Sequence, residues 1–130
     1  MNRRRVLGAI AAVLIAGCAS DESIRKARGQ GVKRTYRYPY ERVYAALMAV
    51  AAARKLTVVE TDQAQGVVIL RADGAVSGEL IGVFFTANNE RSTTVEIVAK
   101  ATVSRTLAPD WVGRLHGDLE QELAPRRPVQ

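Results

Sequence analysis

Thr93-Thr94-Val95-Glu96-Ile97-Val98-Ala99-Lys100-Ala101-Thr102-Val103-Ser104 decides the fold of this chain. Successive side chains of an extended strand point to opposite faces. Val95, Ile97, Ala99, Ala101 and Val103 therefore share one face, and Glu96, Lys100, Thr102 and Ser104 the other. The pattern predicts a strand with one buried and one wet face, broken only by Val98. Just before it, Glu79 to Ala87 reads as a second strand, joined through Asn88-Asn89-Glu90-Arg91-Ser92. Further back, Leu56 to Thr61 and Val67 to Ala72 are β-branched runs separated by Asp62-Gln63-Ala64-Gln65-Gly66, which reads as a hairpin turn ending on Gly66.

Helices flank this strand-rich middle. Tyr40 to Lys55 carries Val43, Leu47, Val50 and Ala51 at spacings of three and four, with many alanines of high helix propensity. Asp110 to Ala124 repeats Trp111, Leu115, Leu119 and Leu123 every four residues, with Asp110 as its cap or first-turn acid. Val32 to Tyr38 alternates as a half-exposed strand before Pro39. The order is β-α-β-β-β-β-α, with no parallel crossover after the first helix. It predicts an α+β domain, an antiparallel β-sheet packed by two helices on one face.

The N-terminus has a different composition. Arg3-Arg4-Arg5 precedes an unbroken apolar run from Val6 to Gly17, and then comes Cys18, the single cysteine. A cationic start, a short apolar stretch and small residues form the layout of a secretory signal. The run is about half of the roughly 20 residues that span a hydrocarbon core. Ile15-Ala16-Gly17-Cys18 resembles the lipobox of bacterial lipoproteins. The resemblance implies cleavage before Cys18, acylation of its thiol and of the new N-terminus, and hence membrane attachment through acylated Cys18. Ala19, rather than Asp, follows the cysteine, which by the same resemblance implies the periplasmic face of the outer membrane rather than the inner membrane. A lone cysteine so used leaves none for disulfides.

The expected organisation is a signal peptide over 1–17, the lipidated cysteine and a flexible tether over 18–31, the domain over 32–124 and a disordered tail over 125–130. The tether reading rests on Ile24 being the only large apolar residue from Ala19 to Gly31. Such a segment buries too little to offset the entropy of ordering. As a coil it would span roughly 20 Å. Tyr40-Glu41-Arg42-Val43-Tyr44-Ala45-Ala46-Leu47, Gln65-Gly66-Val67-Val68 and the amphipathic last helix resemble small bacterial lipoproteins with a TATA-binding-like or helix-grip-like domain. Similar domains occur in lipoprotein subunits of outer-membrane assembly machinery.

Charge and chemistry narrow the function classes. The formal net charge is +6, but Met1 to Gly17 holds three arginines and no acid, which leaves 16 basic against 13 acidic residues from Cys18 onward. The bases are scattered rather than clustered in a stripe, so no nucleic-acid partner is expected. One histidine and a cysteine committed to lipid cannot make a zinc site of the usual type, so neither metal nor cofactor is expected. His116, between Leu115 and Leu119, reads as a surface or rim histidine. Asp118 is two residues away, where helical side chains do not face each other. Gly74 to Gly78 lacks both the P-loop spacing and a following helix.

Two features point to binding. Tyr36, Tyr38, Tyr40 and Tyr44 lie among Arg34, Arg37 and Arg42, a mixture suited to glycan, headgroup or protein contact. Phe84 and Phe85 are adjacent and must point to opposite faces of a strand, so one is expected outside the main core as an anchor for a partner. Phe84, Phe85, Tyr36, Tyr38 and Arg37 thus form the expected interaction surface. The expected activity is non-enzymatic: a lipid-anchored binding or assembly module of the cell envelope with a protein partner. The alternative is a binder of envelope lipid or glycan between helices and sheet.

Overall fold

In the computed structural model, which describes residues 19–72, 78–101 and 109–125, the alternating stretch forms an interior strand of a sheet, next to one edge. The elements are α1 (Ala19–Lys26), β1 (Val32–Tyr36), α2 (Tyr40–Ala53), β2 (Thr57–Asp62), β3 (Val67–Ala72), β4 (Glu79–Asn89), β5 (Ser92–Ala101) and α3 (Pro109–Leu123). The five strands lie in the order β1-β5-β4-β3-β2, and every neighbouring pair is antiparallel. The α+β class and the antiparallel sheet are as the alternation predicts. The signal peptide, Cys18 and residues 126–130 of the tail lie outside the described residues, as do Thr102 to Ser104 and residues 73–77 of the glycine-rich loop.

The main core lies between α2, α3 and one sheet face. Val95, Ile97, Val83, Ile81 and Phe85 rise from β4 and β5 to meet Val43, Leu47, Val50, Leu115, Leu119 and Leu123. The cross-strand pairs Phe85 with Val95 and Val83 with Ile97 put these side chains within packing distance on one face. Ala46 and Ala51 are buried in α2, where their small side chains let the helix sit close to the sheet. Helix α2 ends in a Schellman turn: Leu56 N–H donates to the Ala51 carbonyl at 2.9 Å and Lys55 N–H to the Ala52 carbonyl at 3.1 Å. The turn forces Lys55 to a φ of 58°, a left-handed conformation usually taken by glycine. Helix α3 has no basic residue in its last turn. Arg42 from α2 supplies one, donating to the Leu123 carbonyl at 3.4 Å, where a cation complements the helix dipole.

The N-terminal segment departs from expectation. Residues 19–26 of the expected tether are helical, and this helix lies on the sheet face opposite α2 and α3. Ile24 is fully buried and Ala27 nearly so. Ile24 joins Val67, Ile69, Leu80 and Phe84 in a second, smaller core. The two-helices-on-one-face arrangement therefore needs a third helix on the other face. The physical reason is a gap in the sheet: a Cβ at Gly82 would come within 2.5 Å of Ile24 Cγ2, so the missing side chain leaves a socket for one isoleucine.

Polar contacts fasten the same segment. Arg28 donates to the carbonyls of Gln65 at 3.0 Å and Phe85 at 3.1 Å, with its guanidinium 5.4 Å from the Phe84 ring centroid. Glu96 accepts from Gly29 N–H at 2.6 Å and Gly31 N–H at 2.7 Å. Arg25 pairs with Glu60. Glu96, expected on a wet face, is consequently only 5% exposed.

Candidate functional site

The residues expected to form one interaction surface separate into three environments. Phe84 and Phe85 do point to opposite faces, as the pleat requires, but both faces are covered. Phe84 is 2% and Phe85 3% exposed. Phe84 is roofed by Ile24 and Arg28. Phe85 is held by Tyr40 at 5.7 Å between ring centroids and by Tyr44 at 5.4 Å. Neither ring is a surface anchor, which corrects the expectation that one would lie outside the core. Tyr40 is fixed further by donating to the Gln63 carbonyl at 2.5 Å. Burial is the main reason its hydroxyl ionises less readily than usual, with Tyr44 and Asp62 adding to the effect.

Tyr36 belongs to a buried polar pair. Its hydroxyl lies 2.7 Å from His116 Nδ1, and His116 Nε2 lies 3.0 Å from the Val32 carbonyl. A carbonyl can only accept, so Nε2 carries the proton and Nδ1 accepts from the tyrosine hydroxyl. His116 is fully buried, contrary to its reading as a surface or rim histidine. Its place is explained by the stripe Val112, His116, Leu119 and Leu123, which shares one helical face. Burial lowers its pKa from the usual 6.5; the Val32 hydrogen bond opposes this and Arg34 reinforces it. Burial likewise pushes the Tyr36 hydroxyl up to about 12, with Arg34 opposing and Glu120 adding to the rise. The pair ties α3 to β1, an edge strand of the sheet.

Tyr38 and Arg37 remain accessible, and the chain brings them together with Arg34. The three follow one another along β1 and its exit, beside the last turns of α3. Between them lies a groove of about 490 Å³, with Tyr36 at its floor and Glu120 and Leu123 on the opposite wall. Tyr38 is half-buried and Arg37 exposed. The Tyr38 ring is oriented by the Arg42 guanidinium, 5.3 Å from its centroid, and its carbonyl accepts from Thr93 Oγ1 at 3.0 Å. Arg34 and Glu120 approach to 3.9 Å at the rim, an exposed pair that contributes little to stability. Because β1 is an end strand of the sheet, the groove also runs along a terminal strand.

A second depression of about 530 Å³ lies between α2 and α3, bordered by Val50, Ala53, Arg54 and Asp118. Arg54 bridges it with two hydrogen bonds to Asp118, at 2.7 and 3.0 Å. The acids of α3 do not converge: Asp118 is engaged by Arg54, while Glu120 and Glu122 are exposed. Among the described residues there is no group of three or more metal-ligating side chains, and no helix long and apolar enough to cross a membrane. No protein-family model matches this chain and no curated protein matches it.

Proposed function

We propose that this protein is a lipid-anchored module of the bacterial cell envelope. It is held to the periplasmic face of the outer membrane through Cys18 and binds a protein partner without catalysing a reaction. The observation that carries the binding role is the groove in which Tyr38, Arg37 and Arg34 meet beside the terminal strand β1. An aromatic body, two guanidinium groups and a terminal strand suit recognition of an extended segment of another protein. A role in catalysis finds little support in the one histidine. Both ring nitrogens of His116 are engaged inside the fold, and neither faces the groove opening. A second reading is an envelope glycan in the same groove, favoured by the accessible Tyr38 ring, a surface on which a sugar can stack.

Two measurements test the proposal. Incorporation of a palmitate analogue should label the natural protein and not Cys18→Ser; equal labelling of both removes the anchor. A photo-crosslinking residue in place of Arg37, in intact cells, should yield a discrete protein adduct that Tyr38→Ala weakens. Adducts to saccharide alone would support the glycan reading instead.

A further inference from the structure

If Cys18 carries the anchor, its distance from the folded domain determines how the domain meets the membrane. Cys18 immediately precedes α1 in the chain, and α1 is docked. From Ala19 to Ile24 the helix rises by about 7.5 Å. Cys18 is one further Cα step of about 3.8 Å. The anchor therefore lies on the order of 10 Å from a fully buried side chain, where a 13-residue coil would have allowed roughly 20 Å of free reach.

The direction of α1 on the sheet follows from its contacts. Ile24 sits over Gly82. Arg25 reaches Glu60, which is opposite Ile69, and Ile69 is opposite Gly82. Ile24 and Arg25 thus mark one row across the strands. Arg28 lies over the Phe84 ring and bonds the Phe85 carbonyl, two to three residues further along β4. Helix α1 accordingly runs in the direction of β4, and its start points toward Leu80 and the Glu79 end of that strand.

We infer that the docked α1 fixes the orientation of the domain on the lipid surface. The sheet end at Glu79 and Ala101 rests against the headgroups, and the β4–β5 turn points away. Arg71 and Lys100 flank Leu80 across the strands on the α1 side, and both are exposed. Glu22 in the first turn of α1 and Glu79 at the head of β4 are the acids described at this end, so the two bases face two acids. The orientation derives from the covalent anchor and the socket at Gly82 rather than from attraction between charges. Ten residue steps along β4, of about 3.3 Å each, separate the two ends of the sheet. Tyr36 pairs with Thr93 and Thr93 with Ala87, so the groove lies toward the end turned away from lipid.

This inference rests on the proposed anchor, and the test separates the two. Cys18 is the only cysteine, and acylation blocks its thiol, so a fluorophore can be placed on a single new cysteine. Lys100→Cys and Glu90→Cys proteins, full-length and lipidated, are reconstituted in phosphatidylethanolamine–phosphatidylglycerol vesicles containing a headgroup-linked quencher. Quenching should be several-fold stronger at position 100 than at position 90, and Ile24→Asp should abolish the difference while the fatty-acid label is retained. Equal quenching at both positions in the natural background, with label present, overturns the fixed orientation and leaves the anchor standing. Absence of label overturns the anchor itself.

Discussion

Tyr36 and His116 form a buried polar pair beside a largely apolar core, and the consequences of changing either follow from their bonds. Tyr36→Phe leaves His116 Nδ1 buried without a donor, which should destabilise the domain by about 1–3 kcal/mol in chemical denaturation. The pH dependence has two limbs. His116 has a folded pKa below 6.5, so the unfolded chain takes up its proton first as pH falls. The His116 contribution is complete above about pH 6.5 and declines below it, and His116→Gln should lessen that decline. Tyr36 has its folded pKa raised from 10.0 to about 12, so its contribution is complete below pH 10 and is lost between there and pH 12. Tyr36→Phe should lack that alkaline loss when the two titrations are compared. Lys55, at a φ of 58° in the turn after α2, makes the opposite case. Lys55→Gly removes the left-handed strain and should raise stability by up to about 1 kcal/mol, partly offset by the greater freedom of glycine in the unfolded chain.

At the scale of elements, the two long helices and the meander of strands are written in their periodicities. Val43, Leu47 and Val50 share a helical face, as do Leu115, Leu119 and Leu123, and all of them enter the core. Leu115→Ala or Leu119→Ala should therefore cost roughly 2–5 kcal/mol. A loss below about 1 kcal/mol at both would contradict the docking of α3. Helix α1 was illegible for a physical reason. Eight residues with one large apolar side chain are too few to hold a helix on their own; what orders it is a vacancy at Gly82, on a strand far along the chain. No local pattern announces that vacancy, nor does any announce that Arg28 will bond two distant carbonyls. The same dependence explains Phe84: the alternation shows that it faces away from Phe85, but its cover comes from outside the sheet. Ile24→Asp should release α1 and leave the main core folded. Amides of residues 24–31 would then exchange hydrogen rapidly while those of α3 stay protected, and equal protection in both proteins would show that α1 needs no socket. The tyrosine–arginine cluster was legible as composition, yet only the fold assigns Tyr40 and Tyr44 to packing around Phe85 and leaves Arg37 and Tyr38 accessible.

Across the whole molecule, strands β2 to β5 each pair with the next in sequence, whereas β1, the first to be synthesised, pairs with the last. Val32 lies opposite Ile97. The four-strand meander closes short loops, while placing β1 closes a loop that spans residues 37–92, and long-range contacts of this kind slow folding. Substitutions that weaken β1, such as Thr35→Ala, should leave the folding rate nearly unchanged and accelerate unfolding, as stopped-flow measurements across denaturant would show. Synthesis proceeds from the N-terminus, so β1 is made before any strand exists to receive it. The nascent protein thus passes through a period in which the edge of β5 is vacant and Tyr36 has no histidine. That interval, rather than the finished fold, is when a holding chaperone would have most to protect.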